Sequence, residues 1–376
     1  MKYNDLFFAL LREALWRCED CLPSELSDKQ AYTILRMAEQ QAVSGLVTDA
    51  LIRHDIKLPQ ALVFESVALQ SQIQQANLYI NKGLKRLVGL FNERHIDYAV
   101  VKGQTVAVHY PDPSLRQSGD IDYYCDKENF PKSQQAIKEA WGIEADAHDS
   151  EHHVHYDYKG VTYEGHFALT SLYSSQKTNY WQRLLDNEKG SEVTIDGKAV
   201  KTLSPTLHTL FVFLHLYSHL LELGIGLRQF CDLAMMLHAC RNEIDHQLMK
   251  EHLKAFGITK AYKACGSILV DYLGLPANDL FFSLNETDRR YGKKILDVVF
   301  YRGNMGHYNK RNGFHGWKHN IEATGIKLSH FLKFMSLTPG YSCRWLAYEI
   351  GRKTLLKLKY YILCLKGKEF IYAWLT

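Results

Sequence analysis

The strongest constraint on this chain lies in residues 96–126. There an apolar run, Tyr98-Ala-Val-Val101, stops at Lys102-Gly103, and a Pro-rich loop later delivers Asp120-Ile-Asp122 into a second strand-like run. A short helical segment is predicted between them, from Gln104 to about His109. Alternate side chains of a strand share a face, so Asp120 and Asp122 point the same way, roughly 7 Å apart along the backbone. Two carboxylates brought to ~4 Å in an effective dielectric near ~20 repel by about 4 kcal/mol. If a third acid joins them, a bound cation offsets that repulsion. Oxygen ligands with open positions suit Mg²⁺, which binds through one or two carboxylates and substrate phosphates.

The other half of the stretch supplies the complement. Gly103 ends a strand and opens a helix, where unpaired N–H groups and the helix dipole favour an anion such as phosphate. A residue without a side chain lets the anion approach the backbone closely. Lys102, Arg116 and Ser118 add side-chain donors near the same place. A carboxylate pair beside an amide cradle outlines a site for a nucleoside triphosphate (NTP).

These residues resemble the nucleotidyltransferase superfamily typified by polymerase β, whose signature is a Gly-Ser or Gly-Gly turn followed by an Asp-x-Asp strand. They resemble a bacterial branch of it more closely still. The matching elements are Val101-Lys102-Gly103, Tyr110-Pro111, Arg116, Gly119-Asp120-Ile121-Asp122, Glu164-Gly165-His166 and the helical Leu227-Arg228-Gln229-Phe230-Cys231-Asp232-Leu233. The resemblance spans about residues 75–240, and Gln104 stands where the superfamily has its second Gly or Ser. It implies an α+β fold with a mixed twisted sheet, and transfer of a nucleoside monophosphate from an NTP to a hydroxyl acceptor with release of pyrophosphate. In that scheme Asp120, Asp122 and Glu164 are catalytic and hold Mg²⁺ (or Mn²⁺). Lys102, Gly103, Gln104, Arg116 and Ser118 bind the nucleotide.

Three regions are expected: N-terminal helices (1–72), a nucleotidyltransferase core (73–203) and a C-terminal helical domain (204–376). Ile73, Ala76, Ile80, Leu84, Leu87 and Phe91 form one apolar helix face, with Gln74, Asn77, Asn81 and Lys85 among its solvated surround. A helix over Lys127–Trp141 is followed by alternating strands over 143–169, with helices on one side of the sheet. Asp196-Gly197 signals a hairpin with a primed turn. Ser204-Pro205 starts a helix with Leu207, Leu210, Phe211, Leu214, Tyr217 and Leu221 on one stripe. The polar loop 303–316, with four glycines, and Pro339-Gly340 interrupt later helices.

Composition narrows the class further. With 46% hydrophobic and 23% charged residues, the 376-residue chain has the make-up of a globular protein with a sizeable core. A net charge of +4 is too mild to mark a nucleic-acid binder. Eight cysteines are scattered, and a lone Cys18-Glu-Asp-Cys21 is a weak zinc signal. The apolar run Leu6–Leu11 is too short and wrongly flanked for a leader, and no apolar stretch approaches the ~18 residues of a membrane span, so a cytoplasmic location is expected. Residues 326–369 hold nine Lys/Arg against two Asp/Glu, which reads as a basic helix face or a weak contact with a polyanion.

Two other readings compete. His153, His155 and Asp157 share a strand face and offer ligands for a transition-metal hydrolase. A non-catalytic adaptor on a decayed nucleotidyltransferase fold is the third reading, prompted by Gln104. His166 reads as a packed strand histidine, and His215 and His219, one turn apart, as core or cleft-lining residues. Arg228 and Asp232, four apart on a helix, read most simply as a helical ion pair, and the resemblance implies a cleft-facing role as the alternative.

Overall fold

The sheet follows from the alternation just described. In the computed structural model, β1 (Ala99–Val101), β2 (Asp120–Tyr124), β3 (His153–Tyr158) and β4 (Val161–His166) pair in the order β1-β2-β4-β3. β2 is antiparallel to β1 and parallel to β4, and β3 is antiparallel to β4, so the sheet is mixed. The structure describes residues 3–18, 22–144, 153–169, 174–222, 224–304, 317–348 and 351. Most of the 303–316 loop, Cys21, His152 and residues 352–369 of the basic stretch lie outside them.

Helices α1 (Tyr3–Trp16), α2 (Asp28–Gln40) and α3 (Ser44–Arg53) precede the long α4 (Gln60–Glu93). The short α5 (Gly103–Ala107) follows β1, and α6 (Asn129–Trp141) joins β2 to β3. Asp126 starts α6 by accepting the N–H groups of Glu128 and Asn129 at 3.0 and 2.7 Å. α7 (Ser175–Asp186) leads into the expected hairpin, β5 (Ser191–Ile195) and β6 (Lys198–Thr202), closed by Asp196-Gly197. Then come α8 (Pro205–Glu222), α9 (Leu227–Ala239), α10 (His246–Phe256), α11 (Thr259–Asp271), α12 (Glu286–Arg302) and α13 (Trp317–Phe334).

The sheet separates two apolar cores. Val100, Ile121, Tyr123, Val154, Tyr156 and Tyr163 project from one face onto Ile80, Leu84, Leu87 and Phe91 of α4 and Ile137 of α6. Val101 and Tyr124 project from the other face into a second core with Trp181 of α7 and Phe211 of α8. Helices therefore cover both faces, where the alternation suggested cover on one side. The second face carries polar side chains that helix packing removes from water. The N-terminal helices α1–α3 share this second core with α8–α13.

Two details hold the site-bearing segments. The polar edge of α4 is not all solvated as its pattern suggests. Asn77 is 3% exposed, and its Nδ2 donates to the Ser114 and Arg116 carbonyls at 2.7 and 2.8 Å. Asn81 accepts from Gln104. The loop after α5 carries bare carbonyls, and a helix amide satisfies them. Across the chain, Arg116 donates from Nε and Nη2 to the two carboxylate oxygens of Asp232 at 2.7 and 2.8 Å, and the Tyr110 hydroxyl adds a bond at 2.7 Å. Asp232 is thus paired across 116 residues of sequence with Arg116 and not with Arg228 one turn away. Arg228 instead donates to the Gln117 carbonyl at 2.9 Å. A buried fork-to-fork pair is stronger than an exposed helical one, and the tertiary partner wins.

Removing Asp232 leaves Arg116 as an uncompensated buried charge. Asp232→Ala is expected to lower stability by about 3–5 kcal/mol, read from urea unfolding. Gly165 allows the sheet to close, because a Cβ there would lie 2.4 Å from Tyr123 Oη and 2.7 Å from its Cζ. Tyr123 is fully buried and has nowhere to go, so Gly165→Ala is expected to lose about 3 kcal/mol in the same assay.

Candidate active site

Strand register assembles the acids. Asp122 pairs with Glu164, Asp120 with Thr162 and Tyr124 with His166 in the parallel β2–β4 ladder. Partners in a ladder project to the same side, so Asp120, Asp122, Glu164 and His166 share the face opposite the Tyr123 core. Asp122 is 3% exposed, and its Oδ1 accepts from Lys102 Nζ and faces His166 Nε2, each at 2.7 Å. His166 Nε2 also lies 3.6 Å from Glu164 Oε2.

Electrostatics separate these acids. Burial raises the Asp122 carboxyl, but Lys102 and then His166 outweigh it and hold the group well below the usual carboxylate range. Glu164 has no cationic partner as close, with His166 Nε2 at 3.6 Å. Burial, then Asp122 and Asp120, push its carboxyl up to about 7. Asp120 is raised too, first by Asp122 and then by burial. One face thus carries an acid locked in its charged form beside two acids that resist ionising together. A divalent cation reverses that resistance.

The turn before α5 holds Lys102 in place. Lys102 adopts φ 56° and ψ −152°, a region a residue with a Cβ occupies at a cost of about 1–3 kcal/mol. Its neighbours hold it there. Its N–H donates to His208 Nε2 at 3.1 Å, and its carbonyl accepts from the N–H and hydroxyl of Thr105 at 3.0 and 2.7 Å. His208 Nδ1 faces Thr202 Oγ1 at 3.3 Å. Burial and then His109 lower its imidazole to about 3, so His208 is the neutral acceptor this bond requires. Gly103 follows at φ 46°, and its turn lies against the start of β2, where an added Cβ would sit 3.5 Å from the Asp120 carbonyl.

The remaining expected nucleotide contacts form a chain behind that turn. Arg116 Nη1 donates to Ser118 Oγ at 2.8 Å, and Ser118 donates to Gln104 Oε1 at 2.6 Å. Gln104 then donates to Asn81. Gln104 is 5% exposed, and its amide bridges α4 to the Arg116 loop. On the facing side, α8 presents Phe211, His215 and His219 at helical spacing. The Lys102 ammonium lies 5.9 Å from the Phe211 ring, and the two imidazoles are 4.3 Å apart. Burial first, then Lys102, lowers both imidazoles, His219 to about 4.

Among the described residues, Asp122, Glu164 and His166 form a group whose ligand atoms all lie within 4.8 Å of one another. Two carboxylates and an imidazole fit a divalent cation, and the proton-holding Glu164 is the donor such an ion would most relieve. Asp120 is not in this group, and His166, read first as a packed strand histidine, belongs to it. His153 and His155 lie on the same face, opposite His166 and Glu164, but Asp157 is exposed and accepts from Thr162 at 2.6 Å. None of those three is in the ligand group. A cavity of about 460 Å³ opens elsewhere, between Tyr98, Tyr124, Leu185 and Leu203, and none of the acids Asp120, Asp122 and Glu164 lines it.

His208, Asn77, Asn81 and Asp232 support the site and were not singled out for that role from the sequence. Asn77 and Asn81 gave one signal, as two amides a turn apart beside an apolar stripe. Asp232 stood in the helical motif that carries the resemblance, but its partner did not show, and His208 gave no signal, because each partner lies more than 100 residues away.

No curated protein matches the chain. Among solved structures, an antigenic nucleotidyltransferase-like protein from Paracoccidioides brasiliensis is similar at 16% identity and a TM-score of 0.36, over 55% of this chain and 94% of that one. A family model described as an uncharacterised nucleotidyltransferase matches residues 27–274, which takes in α2, the whole sheet and the helices through α11. With its mixed sheet, its Lys-Gly turn and its Asp-x-Asp strand inside that span, the chain belongs to this nucleotidyltransferase family.

Proposed function

We propose that the protein is a Mg²⁺- or Mn²⁺-dependent nucleotidyltransferase that moves a nucleoside monophosphate from an NTP to a hydroxyl on a small molecule, sugar, protein or RNA end, working in the cytoplasm. The observation that carries this reading is the β2–β4 register, which sets Glu164 directly beside Asp122 and closes a cation-ligand group with His166. The acceptor oxygen bonds to the α-phosphorus, the bond from that phosphorus to the bridging oxygen breaks, and pyrophosphate leaves with the electron pair. Glu164 lies near the attacking hydroxyl in this reading, where it either assists the second cation or takes the proton of the acceptor hydroxyl. Asp120, Asp122 and Glu164, with His166, would hold the cations, which supply charge neutralisation at the attacking and leaving oxygens when bound.

Lys102 has a second task in this reading. Its ammonium neutralises Asp122 at 2.7 Å. A cation held by Asp122 would supply that charge instead, which would leave the ammonium free to turn toward the triphosphate beside Gly103. Gln104, Ser118 and Arg116 keep the turn in register from behind. Catalysis of this kind is mostly positioning and charge stabilisation, so a rigid, over-determined turn suits it.

The test is transfer of label from each α-labelled NTP, with Mg²⁺ and cell extract, to any acceptor. Asp120→Ala is expected to reduce transfer by more than about 10³-fold with little change in unfolding. Asp122→Ala also ends transfer but leaves the Lys102 ammonium buried without its partner, so it unfolds at lower urea. Label transfer by Asp120→Ala at the wild-type rate would end the proposal.

A pH experiment reads the acids without turnover. A carboxyl raised to about 7 from 4.5 binds its proton more tightly folded than unfolded, so metal-free protein loses stability as pH climbs through that window. Glu164→Gln is expected to flatten this fall and to be about 1–3 kcal/mol more stable than wild type at high pH in chelator. Saturating Mg²⁺ should stabilise the wild type and leave Glu164→Gln nearly unmoved.

A further inference from the structure

The site has three buried or half-buried cations, and two of them are engaged. Lys102 is on Asp122 at 2.7 Å, and Arg116 is clamped by both oxygens of Asp232. Arg228 differs. It is the second residue of α9, two after Gly226, which packs against the Gln41 carbonyl at the end of α2. Its Nη1 donates to the Gln117 carbonyl at 2.9 Å, which sets it against the loop that runs into Asp120. Its Nε is shut off from solvent with no hydrogen-bond partner, and among the described residues no carboxylate forms a salt bridge with it. A second nitrogen of the same wall, His219 Nδ1, is likewise buried without a partner. Buried polar nitrogens of this kind are costly to leave unmet, and at the wall of a cleft a bound ligand is one way to meet them.

We propose that Arg228 is the residue that grips the triphosphate of the incoming nucleotide, opposite the cation-binding acids, with His219 donating beside it. This rests on the nucleotidyltransferase reading and adds the phosphate-binding group on the helical half of the cleft. The planar guanidinium suits bidentate contact with phosphate oxygens. Burial and then Arg116 lower its proton affinity, the direction expected of a buried cation short of counter-charge. The protein thus divides its cations by task. Without a bound cation, Arg116 ties the loop to α9, Lys102 guards Asp122, and Arg228 is left for an anion.

The test uses full-length protein with Mg²⁺ and inorganic tripolyphosphate, a probe that does not depend on the base, together with the four NTPs and their nucleosides. Wild type is expected to bind tripolyphosphate. Arg228→Gln should weaken it about tenfold to hundredfold, and Arg228→Lys by less, with nucleoside binding unchanged in both. A merely structural role would disturb triphosphate and nucleoside alike. If Arg228→Gln does not fold, phenylglyoxal labelling of the wild type decides. Tripolyphosphate should protect the peptide carrying Arg228 and leave the exposed Arg94 reactive. If wild type binds triphosphate while Arg228→Gln matches it, or while Arg228 stays unprotected, the assignment to Arg228 fails and the enzyme reading stands. If wild type binds neither tripolyphosphate nor any NTP, both fail.

Discussion

A single buried carboxylate sets the terms for the rest of the molecule. Asp122 lies at the centre of a sheet, nearly shut off from water, and a charge in that position is tolerated only when it is paired and hydrogen-bonded. Lys102 and His166 meet it from two different strand ends, each at 2.7 Å. Lys102 reaches it because the chain turns sharply there, in a backbone conformation that resists any side chain. Neutral His208, from the far half of the chain, accepts the N–H that this turn exposes. The ion pair, the strained turn and the distant histidine therefore stand or fall together.

The sheet turns this local arrangement into a site by having two unlike faces. One face is aromatic and aliphatic and closes on α4 and α6. The other carries the acids and is roofed by α8, whose Phe211 ring lies under the Lys102 ammonium and whose His215 and His219 pack against one another. Low dielectric on that side strengthens every charge interaction and raises the proton affinity of acids without a counter-ion, as Glu164 shows. The N-terminal helices contribute from outside the motif, since α1–α3 complete the core that seats α8 and α9. A small mixed sheet with so polar a face depends on these helices to exclude water.

Much of this was legible in the residues themselves. Asp120-Ile-Asp122, Lys102-Gly103 and Glu164-Gly165-His166 each announced a strand, a turn or a face by local rules, and the register brought Glu164 to Asp122. Periodicity also found α6, α8 and the part of α4 from Ile73 to Phe91, and the Asp196-Gly197 turn announced its hairpin. Partner choice was not legible. Asn77 and Asn81 looked solvated, Arg228 looked like the partner of Asp232, and His166 looked like packing. Each misreading took a neighbour in sequence for the neighbour in space.

The amino-acid sequence by itself determined the elements and which side chains share a strand face, because a period of two and a glycine turn are properties of a few consecutive residues. Only the tertiary structure decided which charge meets which. Asp232 turns to Arg116, Lys102 to Asp122, and Arg228 is left against the Gln117 carbonyl. Those choices depend on distances between segments a hundred residues apart and on how far each group is withdrawn from water. Neither quantity exists until the helices have closed over the sheet.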